Sequence, residues 1–466
     1  MKKLIRLPLN GLEKFMLAHE SEHLSYNSQI VVEFLGKLDP LDFKAIIKKA
    51  INEIPWIRSA VSESFLRFNR HVVRPEDINL DLTLTVYDSP ISQDELDSFC
   101  AKKFDLKNGH CFSFLLSPLE NGDRTQLVFN VHHTLCDAAG QFHLLEEFFK
   151  LLNHMPIKDE AKKTKTFRYR NLLKIMGKKW FFTQLFSNLK KLKNQRLYKM
   201  AGLIDHPEAT GRTVSSTLIR LTEKQKSNIR EKCKEHQVSA TEYITFVAFK
   251  AYDVTLCERG DFMTPIMAYV PKTLRPALKI RYSFQNILST VYIVGKRKEI
   301  NDLKFLGKIK HLIQSHKMDQ AAKFIFGSIM PSTLITPKKL KKIFSDLDKD
   351  PESITSSMLV SAGKVPRTYI FPNDWKDINL WARGTMLKSP GIGVIFTGTH
   401  DNENITLEFV KELTDLKTIN KLRINMLEIL NHEDSKEEAL VLSEAIGQNF
   451  IPLEKSSYTF GDQPTS

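Results

Sequence analysis

The sequence predicts an α/β fold built in two halves. Three observations carry this. Its 466 residues exceed what a single compact core commonly holds. Helix-period and strand-period segments alternate through residues 1–155 and again through 213–450. Between them, residues 156–212 break the alternation with a concentrated basic stretch, and 451–466 read as a polar, loose tail.

In the first half, Asn10 and Glu13 stand three apart before an apolar run, a helix-start pattern. The Ile/Val-rich run from Ser28 to Phe34 reads as a strand. Asp39-Pro40 then opens a helix whose apolar positions, among them Phe43, Ile47, Ala50 and Ile54, keep a 3.6-residue period. Leu80, Leu82, Leu84 and Val86 alternate with other residues, which predicts a half-buried strand. Ser92 and Glu95 predict another helix start. Residues 111–116 and 125–131 predict a hairpin around the turn at 120–123, followed by a helix over 144–152.

The second half repeats this alternation. Residues 213–221 predict a strand, and Thr222/Gln225 and Ser239/Glu242 predict two capped helices. Strands are expected near 263–270 and 287–294, a hairpin over 393–410, and a helix from about 415 to 430.

The 42% apolar and 26% charged balance is that of a soluble globular chain. Residues 1–8 lack the apolar core and small-residue cleavage site of a signal peptide, and no stretch reaches the length of a transmembrane helix. Five scattered cysteines form no CxxC pair, which fits a reducing cytoplasmic location better than a disulfide framework or a zinc site. Of the net charge of +14, +12 falls between Lys158 and Met200, where fourteen basic residues meet two acids. The charge therefore marks one local surface.

The chemistry concentrates at the end of the strand predicted over 125–131. Two histidines, His132 and His133, follow it, and Asp137 comes four residues after His133 at the start of a helix. A neutral imidazole can take a proton from a hydroxyl, amine or thiol near pH 7. Alternation along a strand sends adjacent histidines to opposite sides, so one of them meets substrate.

This His132-His133-xxx-Asp137 pattern resembles the HHxxxDG motif of the superfamily that includes chloramphenicol acetyltransferase and the condensation domains. Phe104-Asp105-Leu106 resembles an upstream element of that family. Arg275, followed by Phe284-Gln285-Asn286, resembles a downstream one, and Ser361-Ala362-Gly363 resembles its strand-exchange region. Here Ala138 replaces the motif glycine, with Gly140 two residues later. The plant-branch DFGWG sequence is absent.

The resemblance implies two chloramphenicol acetyltransferase-like subdomains packed as a V around a central tunnel. It implies transfer of an acyl group from a thioester, coenzyme A or a carrier protein's phosphopantetheine, to a hydroxyl or amine. His133 would be the base, His132 a supporting residue and Asp137 structural, with Asn286, Arg275 and Gly140 at the substrate. Residues near Asn286 would help to hold the oxyanion. No metal or redox cofactor is implied. A buried Asp137 needs a partner, and Arg275 is the best candidate. The other reading is a non-catalytic relative that binds a carrier protein or an acyl lipid, motivated by Ala138.

Residues 156–212 are expected to form a basic amphipathic helical insertion. It would touch anionic lipid or donor phosphates, or pack on the body of the protein as a linker. Nucleic-acid binding is disfavoured, because Trp180, Phe181 and Phe182 fall on amphipathic helices. Asp346-x-Asp348-x-Asp350 fails as a calcium loop for want of its glycine and final glutamate.

Overall fold

A short strand, β1 (Arg6–Leu7), leads into α1 (Gly11–His19). Asn10 and Glu13 exchange side-chain-to-backbone hydrogen bonds, the reciprocal box their spacing predicts. Then come β2 (Asn27–Leu35), α2 (Pro40–Glu53) capped by Asp39, and the hairpin β3 (Ser59–Glu63) and β4 (Phe68–Val72). Strand β5 (Leu84–Val86), α3 (Gln93–Ala101), β6 (Phe112–Pro118), β7 (Arg124–His132) and α4 (Ala138–Leu152) complete the first half. The computed structural model describes residues 5–431 except 8, 22–23, 120–121, 164–199, 210, 317–334, 350–355, 388 and 390. Most of the expected basic insertion, and the tail at 451–466, lie outside the described residues.

The second half contains β8 (Val214–Arg220), α5 (Glu223–Glu235), α6 (Ala240–Glu258), β9 (Ile266–Thr273) and β10 (Leu288–Gly295). After these come α7 (Arg297–Ile300), α8 (Leu303–Ser315), α9 (Pro337–Lys349), β11 (Met358–Lys364) and β12 (Lys376–Arg383). Strands β13 (Ile392–Gly398) and β14 (Glu403–Val410) and α10 (Leu416–Asn431) finish the described chain. Met1–Leu430 packs as one unit, and Asn431–Ser466 is a second.

Two larger sheets result, with orders β12-β2-β7-β6-β5 and β10-β9-β11-β13-β14-β8. The first is covered on both faces. Phe43 and Phe148 pack on one side with Phe114 and Phe129 of the sheet, and Leu96 and Phe99 of α3 pack on the other with Val31 and Val128. Burial on both faces makes β2 and β7 buried along nearly their whole length. Helices α5, α6, α8 and α10 contribute to the core against the second sheet.

Strand β12 comes late in the chain yet pairs antiparallel with β2 in the first sheet. Trp375 stacks on Phe34 at 3.6 Å. Glu33 on β2 accepts from Arg220 of β8 at 2.8 and 3.0 Å and from Asn379 of β12 at 3.0 Å. Buried Arg383 pairs with buried Asp97 at 2.8 Å. The exchanged strand is therefore Lys376–Arg383 and not the Ser361–Gly363 region suggested by the sequence. Met358 and Val360 commit β11 to the second core, where it runs parallel to β13.

A second correction concerns the strand expected from Leu80. Asn79 accepts a hydrogen bond from the backbone N–H of Asp81 and starts a 3-10 turn over Leu80–Leu82, so only Leu84–Val86 joins the sheet. A local side-chain acceptor here outcompetes the ladder.

Candidate active site

His132 ends β7, and His133 is the first residue beyond it. The pleat separates their side chains. His132 is fully buried, with Nδ1 2.7 Å from Thr134 Oγ1. Its Nε2 lies 3.4 Å from the Glu20 carboxylate, an ion-pair distance without hydrogen-bond alignment. His133 is half-buried, and its backbone N–H donates to the Tyr26 carbonyl at 2.6 Å.

The tautomer of His133 follows from Asn286. Asn286 Nδ2 donates to the His133 carbonyl at 2.8 Å, and it lies 3.4 Å from Glu13 Oε1 and 3.5 Å from the Thr134 carbonyl. All three partners are acceptors, so the amide nitrogen faces them and Oδ1 faces the imidazole Nδ1 at 3.2 Å. An amide oxygen only accepts, which puts the ring proton on Nδ1 and leaves the lone pair on Nε2. Burial lowers the His133 pKa below the ordinary imidazole value. Its own carbonyl, Asp137 and Asn286 oppose this without reversing it. Burial thus favours the neutral form of the ring.

The His133 loop is tied down through Asp137. Asp137 caps α4 by accepting from the Gly140 N–H at 2.9 Å. Arg275 donates to it twice, at 2.8 Å each, and the Ile287 N–H adds a third bond at 2.8 Å. The same guanidinium donates to the carbonyls of Ser283 and Gln285 at 3.1 and 2.7 Å. One buried ion pair thus joins β7, α4 and the segment before β10. The partner expected for Asp137 is present.

The three residues that the resemblance places at the substrate each have contacts within the protein. Arg275 is occupied by Asp137 and two carbonyls. Asn286 stands beside the imidazole with its amide nitrogen facing acceptors. Gly140 faces backbone, since a Cβ there would fall 2.2 Å from the Phe284 carbonyl oxygen. Gly140→Ala must therefore displace residues 284–286 and carry Asn286 off the imidazole. We expect this change to lower turnover by about 10²-fold, measured beside Ala138→Gly, which should be near neutral. Ala138 is exposed at the first position of α4 and is not among the residues with positive φ, so alanine meets no backbone penalty there.

Sequence reasoning missed a supporting layer. Glu13 is fully buried, and burial raises its carboxyl pKa although Arg70 stands 3.6 Å away. Arg70 donates to the Thr134 carbonyl at 2.5 Å, lies over the Trp56 ring, and Trp56 donates to the Leu135 carbonyl at 2.8 Å. The Asn10/Glu13 spacing signalled a helix start, but no local pattern ties Glu13 to Asn286, 273 positions away.

Among curated proteins, no sequence matches the chain. Solved structures do. Trichothecene 15-O-acetyltransferase (TRI3) from Fusarium sporotrichioides aligns with a TM-score of 0.65 at 11% identity, covering 91% of this chain and 94% of that one. SgcC5 from Streptomyces globisporus aligns at 0.63 and 11%, covering 91% and 98%. The first condensation domain of the calcium-dependent antibiotic synthetase, in complex with a substrate analogue, aligns at 0.62 and 13%, covering 92% and 96%. These likenesses establish the fold as α/β with two chloramphenicol acetyltransferase-like subdomains packed as a V. The family model described as "Condensation domain" matches residues 14–251, which run from within α1 through the His pair and Asp137 to most of α6. The chain belongs to the condensation domain family.

Proposed function

We propose that this protein transfers an acyl group from a thioester to a hydroxyl or amine acceptor, with Nε2 of His133 as general base. The observation that carries the reading is the Asn286 contact, which holds the proton on Nδ1 and leaves Nε2 to accept. Family membership and acyltransferase relatives of the same fold support acyl transfer as the reaction class.

In this reading the acceptor O–H or N–H gives its proton to Nε2 as its oxygen or nitrogen bonds to the thioester carbonyl carbon. The tetrahedral intermediate then expels the thiolate, which recovers the proton from the imidazolium. No acyl-enzyme forms. Holding both reactants in a tunnel between the subdomains supplies much of the advantage through proximity. The donor is a coenzyme A or carrier-protein thioester.

An apolar acyl group suits the sheet beside the site. Beginning two residues beyond Asn286, β10 and its partner β9 present Thr290, Tyr292, Val294, Met267 and Tyr269 on a partly exposed face. Tyr269 and Tyr292 meet edge to face at 5.0 Å. A cytoplasmic location accords with five unpaired cysteines. No described helix is long and apolar enough to cross a membrane.

The pH dependence tests the base. His133 must be neutral to act, and its pKa is lowered, so activity is full above that pKa and lost as pH falls through it. The acid limb of kcat/KM is expected below about 6.5 with unit slope. An acid limb above that value, or none traceable to His133, contradicts the assignment.

A further inference from the structure

The hairpin β3–β4 ends in an unusual turn. Residues 64–67 close it through the Ser64 N–H to the Arg67 carbonyl at 2.9 Å and Ser64 Oγ to the same carbonyl at 2.7 Å. The two residues at the tip are Phe65 and Leu66, 82% and 71% exposed. Turn tips favour glycine, asparagine, aspartate and serine for their backbone geometry and hydration. Two adjacent large apolar side chains held in water by a hydrogen-bonded turn serve no purpose in this core.

Helix α9 packs beside the hairpin. Leu340 joins a cluster with Val61 and Phe68, while Lys341 pairs with Glu63 at 2.5 Å and lies over the Phe68 ring. Its first two turns read Pro337-Lys338-Lys339-Leu340-Lys341-Lys342, and all four lysines are exposed. Its acids, Asp346 and Asp348, fall at the other end. This order opposes the helix dipole, which favours acids at the N-terminus and bases at the C-terminus. The lysines therefore do not serve the helix. Arg67 at the hairpin end adds an exposed cation.

We propose that this face docks on an anionic lipid surface, with Phe65 and Leu66 entering the headgroup region and Lys338, Lys339, Lys342 and Arg67 meeting lipid phosphates and carboxylates. An exposed apolar tip with cations at the hairpin end and on the helix packed beside it matches a bilayer interface, which yields to a wedge and carries negative charge. Its residues lie outside the basic stretch 158–200 in the sequence, and the proposal is independent of the acyl-transfer reading. It would let the enzyme work on substrates held at the membrane.

Sedimentation of the full chain with vesicles tests it. Binding is expected to vesicles containing phosphatidylserine, to fall steeply with added salt, and to be weak on phosphatidylcholine alone. The double variant Phe65→Ser/Leu66→Ser retains the segment at 158–200, and it should lose about tenfold or more in partitioning. Lys338→Gln/Lys339→Gln/Lys342→Gln should flatten the salt dependence. These side chains are exposed, so unchanged thermal unfolding verifies that each variant is folded. Absence of binding at low salt overturns the proposal. So does binding that both variants retain, since it would assign attachment to another surface such as 158–200. Loss of an acidic soluble partner from both variants with vesicle binding intact also overturns it, in favour of a protein-docking face.

Discussion

Arg275→Ala is expected to destabilise the folded protein by about 3–5 kcal/mol, because it strips a buried carboxylate of its counter-charge. Asp137 is buried and cannot recover its hydration. Its remaining donors, the N–H groups of Gly140 and Ile287, are neutral. The carbonyls of Ser283 and Gln285 lose their donor in the same step. Arg275→Lys should recover only part of the loss, since an ammonium cannot reproduce the paired contacts at 2.8 Å. Urea unfolding followed by circular dichroism measures both. The midpoint should fall in the order wild type, lysine, alanine, with the slope unchanged. An alanine variant within 1 kcal/mol of wild type would show that the pair does not hold the loop.

Much of the fold was legible because its signals are local. Asn10, Asp39, Ser92, Thr222 and Ser239 each announce a helix by satisfying its first N–H groups, and each does so in the structure. The β6–β7 and β13–β14 hairpins were legible for the same reason. Strand β12 and its destination were not. Nothing within Lys376–Arg383 specifies which sheet it joins; that depends on Phe34, Glu33 and Asp97, hundreds of residues earlier. The hairpin at 59–72 was hidden by its tip, where Phe65-Leu66 puts apolar residues at the position that ordinarily marks a turn.

The site divides in the same way. The pairing of Asp137 with Arg275 could be read from the family resemblance and from the need of a buried charge for a partner. The work done by Asn286 could not, because it rests on the orientation of one amide set by three acceptors on distant segments. Gly140 was recognised as a glycine of interest, but its reason, the approach of the Phe284 carbonyl, exists only once α4 and the segment before β10 are packed together.

Removing the imidazole should have the largest effect on activity. His133→Ala takes away the proton acceptor while leaving Asp137, Arg275 and the Glu13–Arg70 layer in place, so the fold should persist and transfer should fall by about 10²–10⁴-fold. His132→Ala should cost less turnover, since His132 faces Thr134 and Glu20 from within the protein. The direct measurement is mass spectrometry of products from a panel of acyl thioesters incubated with cell extract and either wild-type protein or the His133→Ala variant. The account predicts an ester or amide product, with release of the thiol, from wild type and at most traces from His133→Ala. Equal product from both on the same thioester would contradict the assignment of His133 as the base.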